Sequence, residues 1–302
     1  LTSLRQSCTA FWDAILVAGL SMVAASHAGS LSLRAQSLIY LFLLLAVLAV
    51  VFRRCLPVIY ANMHLFRARL GLRPTRASPH YVKALFDGYS EEFDRHLMID
   101  LLYRAPNLLA GIVAERRLPS APIILDLGCG TGICGPLFEP FADRLIGVDL
   151  SPKMLELAER KQCYDRLVEA DVVDFLRQET GTIDLCLASD VLVYLGDLDE
   201  LFAGVWQALR PCGLFAFTVE ATSGNGWRLQ KSGRYAHSES YVRSCARAAG
   251  FAVADWRYAM LRTQGEAPVS GDIWLLQKPP AAGPRASSHV VHRNGCGGPL
   301  GD

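Results

Sequence analysis

Residues Ile124–Gly132 read Ile-Leu-Asp-Leu-Gly-Cys-Gly-Thr-Gly (ILDLGCGTG), and this stretch decides the fold. Pro122–Asp126 is short and mostly apolar and reads as a buried strand. Gly128, Gly130 and Gly132 then make a turn into a helical pattern, Cys134–Phe141. A strand feeding such a turn and a helix opens an α/β unit. Glycine lets the backbone there come close to a ligand, because no side chain stands in the way.

Outward from this unit the alternation continues. Arg144–Asp149, Leu167–Asp171, Ile183–Ser189 and Leu214–Glu220 read as strands. Pro152–Gln162, the stretch through Gln178 and Asp197–Leu209 read as helices, and Pro211-Cys-Gly213 as a turn. That order predicts a parallel sheet covered on both faces, with ligands outside the carboxyl ends of its strands. Ser238–Ala249 reads as a helix ending at Gly250. Phe251–Leu261 and Gly271–Gln277 read as strands joined by a polar turn around Thr263–Ser270, a hairpin with one antiparallel strand.

The glycine spacing is G-x-G-x-G, not the G-x-G-x-x-G of dinucleotide sites. The acids around it are more informative. Asp126 precedes the first glycine by two residues. Asp149 closes the second strand, 23 residues later, where a carboxylate can take both hydroxyls of a ribose. Asp171 closes the third strand and Asp190 follows the fourth. Four acids around one crevice would repel a pyrophosphate, which wants positive charge and free helix N–H groups. They suit a ligand with a diol, an exocyclic amine and positive charge, and S-adenosylmethionine has all three.

Residues 122–278 resemble a class I S-adenosylmethionine-dependent methyltransferase. The matching segments are ILDLGCGTG (Ile124–Gly132), GVDLSPKML (Gly147–Leu155), EADVVDF (Glu169–Phe175), DLCLASDVLVYL (Asp184–Leu195) and LRPCGLFAFTVE (Leu209–Glu220). FDGYSEEFDRHL (Phe86–Leu97) and YRAP (Tyr103–Pro106) resemble the leading helices of bacterial methyltransferases that often carry tetratricopeptide repeats, although no 34-residue repeat is visible here. The resemblance implies an α/β fold: a Rossmann-like, seven-stranded, mostly parallel sheet with a C-terminal antiparallel hairpin; here an apolar helical segment is expected to precede it, in place of the repeats. It implies that Asp126, Gly128, Cys129, Gly130 and Gly132 surround the methionine moiety and that Asp149 takes the ribose. Leu150, Ser151 and Met154 would flank the adenosine, with Asp171 and Val172 at the adenine amine. Ser189 and Asp190 would border the sulfonium, and Tyr89 or Phe93 would close the site. Residue by residue, blander roles stay open. An aspartate after a strand is often a helix N-cap, and Met154, or Tyr89 with Phe93, can be ordinary apolar packing.

Methyl transfer from a sulfonium is an in-line displacement with a good leaving group, so alignment matters most. A base is needed only where the acceptor must lose a proton. His237, with Tyr235 beside it, is the sequence's candidate for that role, unless His237 is a loop residue before a helix capped by Ser238. The acceptor is expected to be a small molecule. Asp190-Val-Leu-Val-Tyr194 lacks the Asn/Asp-Pro-Pro-Tyr/Phe segment of amino-methylating nucleic-acid enzymes, and nucleic acid is not expected. A lipid or quinone-like acceptor, or a cofactor-binding protein without turnover, are the alternatives.

The net charge of +1 conceals an asymmetry. Residues 1–86 hold nine Lys and Arg against Asp13 alone, so the remainder carries −7. Within the basic part, Ala14–Ala25 is broken only by Gly19 and Ser21, and Leu38–Phe52 is fifteen apolar residues without interruption. Spanning a bilayer takes about 20 residues. Including Ser37 and Cys55–Tyr60 across Arg53 and Arg54 lengthens the second stretch. Residues 11–60 are therefore expected to associate with a membrane, with the arginines after them holding the rest on the cytoplasmic side. A targeting segment, a buried helix or a non-native extension would also fit a chain that starts at Leu1. The expected division is 1–76 as the apolar, Arg-rich segment, 77–278 as the methyltransferase domain and 279–302 as a disordered tail. No metal site is expected: His289, His292 and Cys296 read as part of the solvated tail. Nine scattered cysteines without a C-x-x-C pair read as reduced thiols.

Overall fold

The computed structural model describes residues 74–89, 101–264 and 267–281, with isolated positions between 37 and 72. The expected anchor at 11–60 and the tail from 282 onward therefore lie largely or wholly outside the described residues. Among the described residues, no helix is long and apolar enough to cross a membrane.

Five parallel strands form the centre: β1 (Ile123–Leu127), β2 (Arg144–Asp149), β3 (Arg166–Glu169), β4 (Ile183–Ala188) and β5 (Leu209–Ala221). β1 pairs with β2 on one side and β4 on the other, and the order runs β3-β2-β1-β4-β5. The chain reverses direction across the sheet at β1/β4, so the loops after these strands diverge and leave a crevice. Beyond β5 the sheet continues into the hairpin β8 (Ala252–Gln264) and β9 (Ala267–Gln277), with β9 antiparallel to β5. These seven strands carry the expected plan, although the hairpin is longer at its tip than the polar Thr263–Ser270 turn suggested.

Two further strands depart from it. β6 (Trp227–Leu229) and β7 (Tyr235–His237) extend the sheet at the tip of β5, where β7 runs parallel to Glu220 and Ala221. The sheet thus has nine strands among the described residues. The expected turn at Pro211–Gly213 is an irregularity inside β5, with Cys212 at φ 68°, not a break before it.

Alternate residues of the buried strands face opposite layers. Phe215, Phe217 and Val219 of β5 pack on one side with Phe202 and Val205 of the helix Asp199–Ala208, and with Val242 and Ala246 of the helix Glu239–Ala249. Leu214 and Ala216 pack on the other side with Leu109 and Ile112 of the helix Ala105–Ala114. Phe202 meets Phe217 edge-to-face at 5.4 Å, the preferred geometry for such rings. Both faces are covered by apolar packing, so the free ends of the strands, not their faces, are left to bind ligands.

The N-terminal strap belongs to this fold. Pro74 O accepts from the Tyr235 hydroxyl at 2.8 Å, Thr75 O accepts from Gly196 N and Asp197 N, and Arg76 bridges Leu195. Charge groups Arg76 with the basic segment, whereas the backbone of residues 74–76 is tied to the enzyme-like domain. The helix α1 (Pro79–Tyr89) follows and lies over the carboxyl ends of the strands.

Candidate active site

A cavity opens at the carboxyl ends of β1, β2 and β4. Gly128, Cys129 and Gly130 form its floor, with Asp149, Leu150, Asp171, Val172, Ser189 and Asp190 along its wall. Pro79, Val82 and Phe86 of α1 close one side.

The loop is shaped by its glycines. Gly128 N and Cys129 N both donate to Val148 O, at 2.7 and 3.0 Å, which pulls the loop across to the end of β2. Gly128, Gly130 and Gly132 all have positive φ. A Cβ on Gly128 would lie 2.4 Å from Val191, and one on Gly132 would lie 2.9 Å from Tyr164. At Gly130 nothing stands within 4 Å. Gly128 and Gly132 are required by packing, whereas Gly130 leaves open space beside the cavity.

Asp149 is the best-organised acid. Its Oδ2 accepts from Gly130 N at 2.9 Å and its Oδ1 from Ser151 N at 2.8 Å. Burial pushes its carboxyl up to about 6, opposed by those amide donors. Ser151 is the N-cap of the helix Pro152–Arg160, accepting from Met154 N, so Asp149 is not consumed as a cap. Asp171 does both jobs: its Oδ1 caps the helix Val172–Leu176 at Val173 N, 3.0 Å, and its Oδ2 meets Arg76 in a direct ion pair.

Other expected residues stand elsewhere. Asp126 is 1% exposed, behind the loop rather than in the wall. Gly132 and Met154 are also outside the wall; Met154 is fully buried in packing, not presented to a ligand. Ser151 turns its hydroxyl to Asp87 of α1 at 2.6 Å. Tyr89 closes α1, but its side chain, like Phe93, lies outside the described residues.

The expectation of a base at His237 and Tyr235 is corrected by their placement. Both are fully buried and neither lines the cavity, because strand β7 turns them into the domain instead of leaving them in a loop. His237 Nε2 bonds Leu195 O at 2.9 Å and its ring stacks on Tyr241. Burial lowers its pKa to about 4, against the raising effect of the Leu195 and Gly196 backbone. Ser238 caps the next helix.

The sequence reading missed the arginines. Arg76 and Arg234 line the cavity. Arg262, 2% exposed, binds Asp190 at 3.1 Å and Glu220 directly. The rim is therefore not four bare acids: Asp171 and Asp190 carry arginine partners. Among the four, Asp149 and Asp126 have no ion-pair partner among the described residues, and they stand nearest the glycine loop. Tyr103 was also missed as a wall residue; its hydroxyl lies 2.7 Å from Ser189 Oγ, and burial pushes its pKa well up.

This arrangement fits S-adenosylmethionine. Gly130 leaves space for a ligand, and Asp149 in the wall is a buried carboxylate without a cation among the described residues. A ligand with hydroxyls and positive charge would relieve those costs.

Comparison with known proteins agrees. A family model described as a methyltransferase domain matches residues 125–217. The chain is 34% identical to human methyltransferase-like protein 27 over 149 residues, 46% of this chain and 58% of that protein. It is 33% identical to trans-aconitate 2-methyltransferase of Escherichia coli O1:K1 / APEC over 124 residues, 37% of this chain and 48% of that one. The chain spans about half the length of the curated relatives it matches. In fold it resembles a protein solved with the Haloferax volcanii Trm112 methyltransferase activator, with a TM-score of 0.52 at 17% identity, covering 66% of this chain and 97% of that one. Residues 125–217 are accordingly similar to a methyltransferase domain.

Proposed function

We propose that the whole protein transfers a methyl group from S-adenosylmethionine to a small-molecule acceptor. The observation that carries this reading is Asp149: a buried carboxylate at the end of β2, without an ion-pair partner among the described residues, in the cavity wall beside the open face of Gly130. One relative is named for a small-molecule acceptor, trans-aconitate.

When bound, S-adenosylmethionine supplies an electrophilic methyl group on a sulfonium. The chain's own residues hold and align. Asp149 would take the ribose hydroxyls, the Gly128–Gly130 backbone would receive the amino-acid end, and Asp171 with Val172 would meet the adenine edge. Ser189, fixed by Tyr103, and Asp190 border the reacting end. Phe86 and Val82 of α1 exclude water from that side, which strengthens the electrostatic contacts within. No side chain needs to take a proton unless the acceptor carries one, which is consistent with the burial of His237.

The test is a metabolite screen with the full chain, reading S-adenosylhomocysteine release. Acceptor-dependent release supports the reading. Protein that binds the cofactor yet releases nothing with any fraction would contradict it.

A further inference from the structure

We infer that the acceptor is an organic acid and that Arg234 is the residue that holds its carboxylate. This inference rests on the methyl-transfer reading above and names the substrate class of that same cavity.

Two arginines, Arg234 and Arg262, share two acids, Asp190 and Glu220. Arg262 is buried in β8 and spans Asp190 and Glu220, reaching Asp190 Oδ2 at 3.1 Å and Glu220 through its other Nη. Gln230 Nε2 adds a bond to the second Glu220 oxygen. These partners already satisfy both carboxylates. Arg234 reaches the same pair with Nη1 alone, at 3.3 Å to Asp190 and 3.5 Å to Glu220. Charge-assisted N–H···O contacts normally close to about 2.7–2.9 Å. Arg234 is therefore loosely held where Arg262 is tightly held.

Exposure divides them the same way. The Arg262 side chain is 2% exposed and does not line the cavity, whereas that of Arg234 is 27% exposed and does. Nη2 and Nε of Arg234 make no hydrogen bond or ion pair among the described residues. The second arginine lining the cavity, Arg76, gives Nη2 to Asp171 and keeps only a buried Nε without a partner among the described residues, so it has no free fork to offer. The Tyr194 ring, 6.0 Å from the Arg234 guanidinium carbon, supports the group from one side.

A guanidinium with unused donors in a cavity wall is matched to a carboxylate, which accepts two parallel N–H bonds from its fork. Burying a charge with unfilled donors is costly unless a ligand fills them. Arg262 accounts for the architecture: it holds Asp190 and Glu220 in place, and Arg234 balances the second of their two charges through Nη1 alone, which leaves its other donors for a ligand. A neutral lipid or quinone-like acceptor would leave the Arg234 donors unfilled.

The experiment measures S-adenosylhomocysteine release by the full chain with succinate, glutarate, itaconate and trans-aconitate, and with the neutral amides of the same skeletons. Calorimetry with S-adenosylmethionine runs in parallel. We expect turnover with at least one acid and none with its amide. Arg234→Gln should raise KM for that acid at least tenfold, with kcat changed less and cofactor affinity within twofold. Arg234→Lys, which keeps the charge, should recover part of the loss. Equal turnover of acid and amide, an unchanged KM in Arg234→Gln, or cofactor binding with no acid turned over would overturn the inference. Absence of cofactor binding would instead overturn the methyl-transfer reading, and this inference with it.

Discussion

The Tyr164 hydroxyl donates to Asp126 Oδ2 at 2.7 Å, across 38 residues of sequence, and holds the first acid of the glycine-rich segment inside the protein. Burial pushes the Asp126 carboxyl up to about 7, against the lowering effect of that bond, and nearby Asp149 raises it further. The folded-state value lies above the unfolded value of 3.8, so this group favours folding at low pH. That contribution is lost as pH rises through about 7.

Tyr164→Phe removes the donor and leaves both Asp126 oxygens without a partner among the described residues. Losing a bond to an ionised group costs about 1.5–3 kcal/mol. The cost should be larger at pH 8, where Asp126 is charged, than at pH 5. Urea denaturation at both pH values checks this. An equal cost at both would mean that Asp126 does not ionise in this range.

The glycines should separate by role. Gly130→Ala meets open space and should cost about 1 kcal/mol of stability, from its positive φ. It should nevertheless weaken S-adenosylmethionine binding at least tenfold, because the new methyl occupies ligand space. Gly132→Ala meets Tyr164 and the Ala158 backbone and should lose more stability than Gly130→Ala. Thermal denaturation beside calorimetry distinguishes the two. Gly130→Ala with unchanged affinity would place the ligand elsewhere.

His237 sets an acid limit on stability. Its folded pKa, about 4, lies below the unfolded 6.5, so its contribution is complete above about 6.5 and is lost as pH falls toward 4. A shift of that size corresponds to about 3 kcal/mol. His237→Gln should flatten the stability profile between pH 4 and 6.5 and leave kcat near the parent value at pH 7.5. A kcat loss of a hundredfold at unchanged stability would restore a catalytic role to His237.

The parts of this molecule legible in the sequence are those with local causes. β1, β2 and β4 show as apolar runs because both faces are covered. Asp149 and Asp190 show because each ends or follows such a run, and Asp171 because it follows the short strand β3 and caps the next helix. What escaped was non-local. Trp227–Leu229 and Tyr235–His237 are three residues each, too short for any periodic signal. Arg76 meets Asp171 across 95 residues, and Arg234 meets Asp190 across 44, pairings no spacing reveals. Arg262 did carry a sign: a charge within Tyr-Ala-Met-Leu-Arg is out of place in a buried strand unless something pairs it.

The central claim is that Asp149 and the Gly128–Gly130 loop bind S-adenosylmethionine, and its most direct test is calorimetry on the full chain and on Asp149→Ala. Losing a carboxylate that takes two ribose hydroxyls should weaken binding about 10- to 100-fold, from bonds to a charged group at about 1.5–3 kcal/mol. The parent should bind S-adenosylmethionine, the variant should bind it more weakly by that factor, and neither should bind NADH. Equal affinity in both proteins, or NADH binding without S-adenosylmethionine binding, would contradict it.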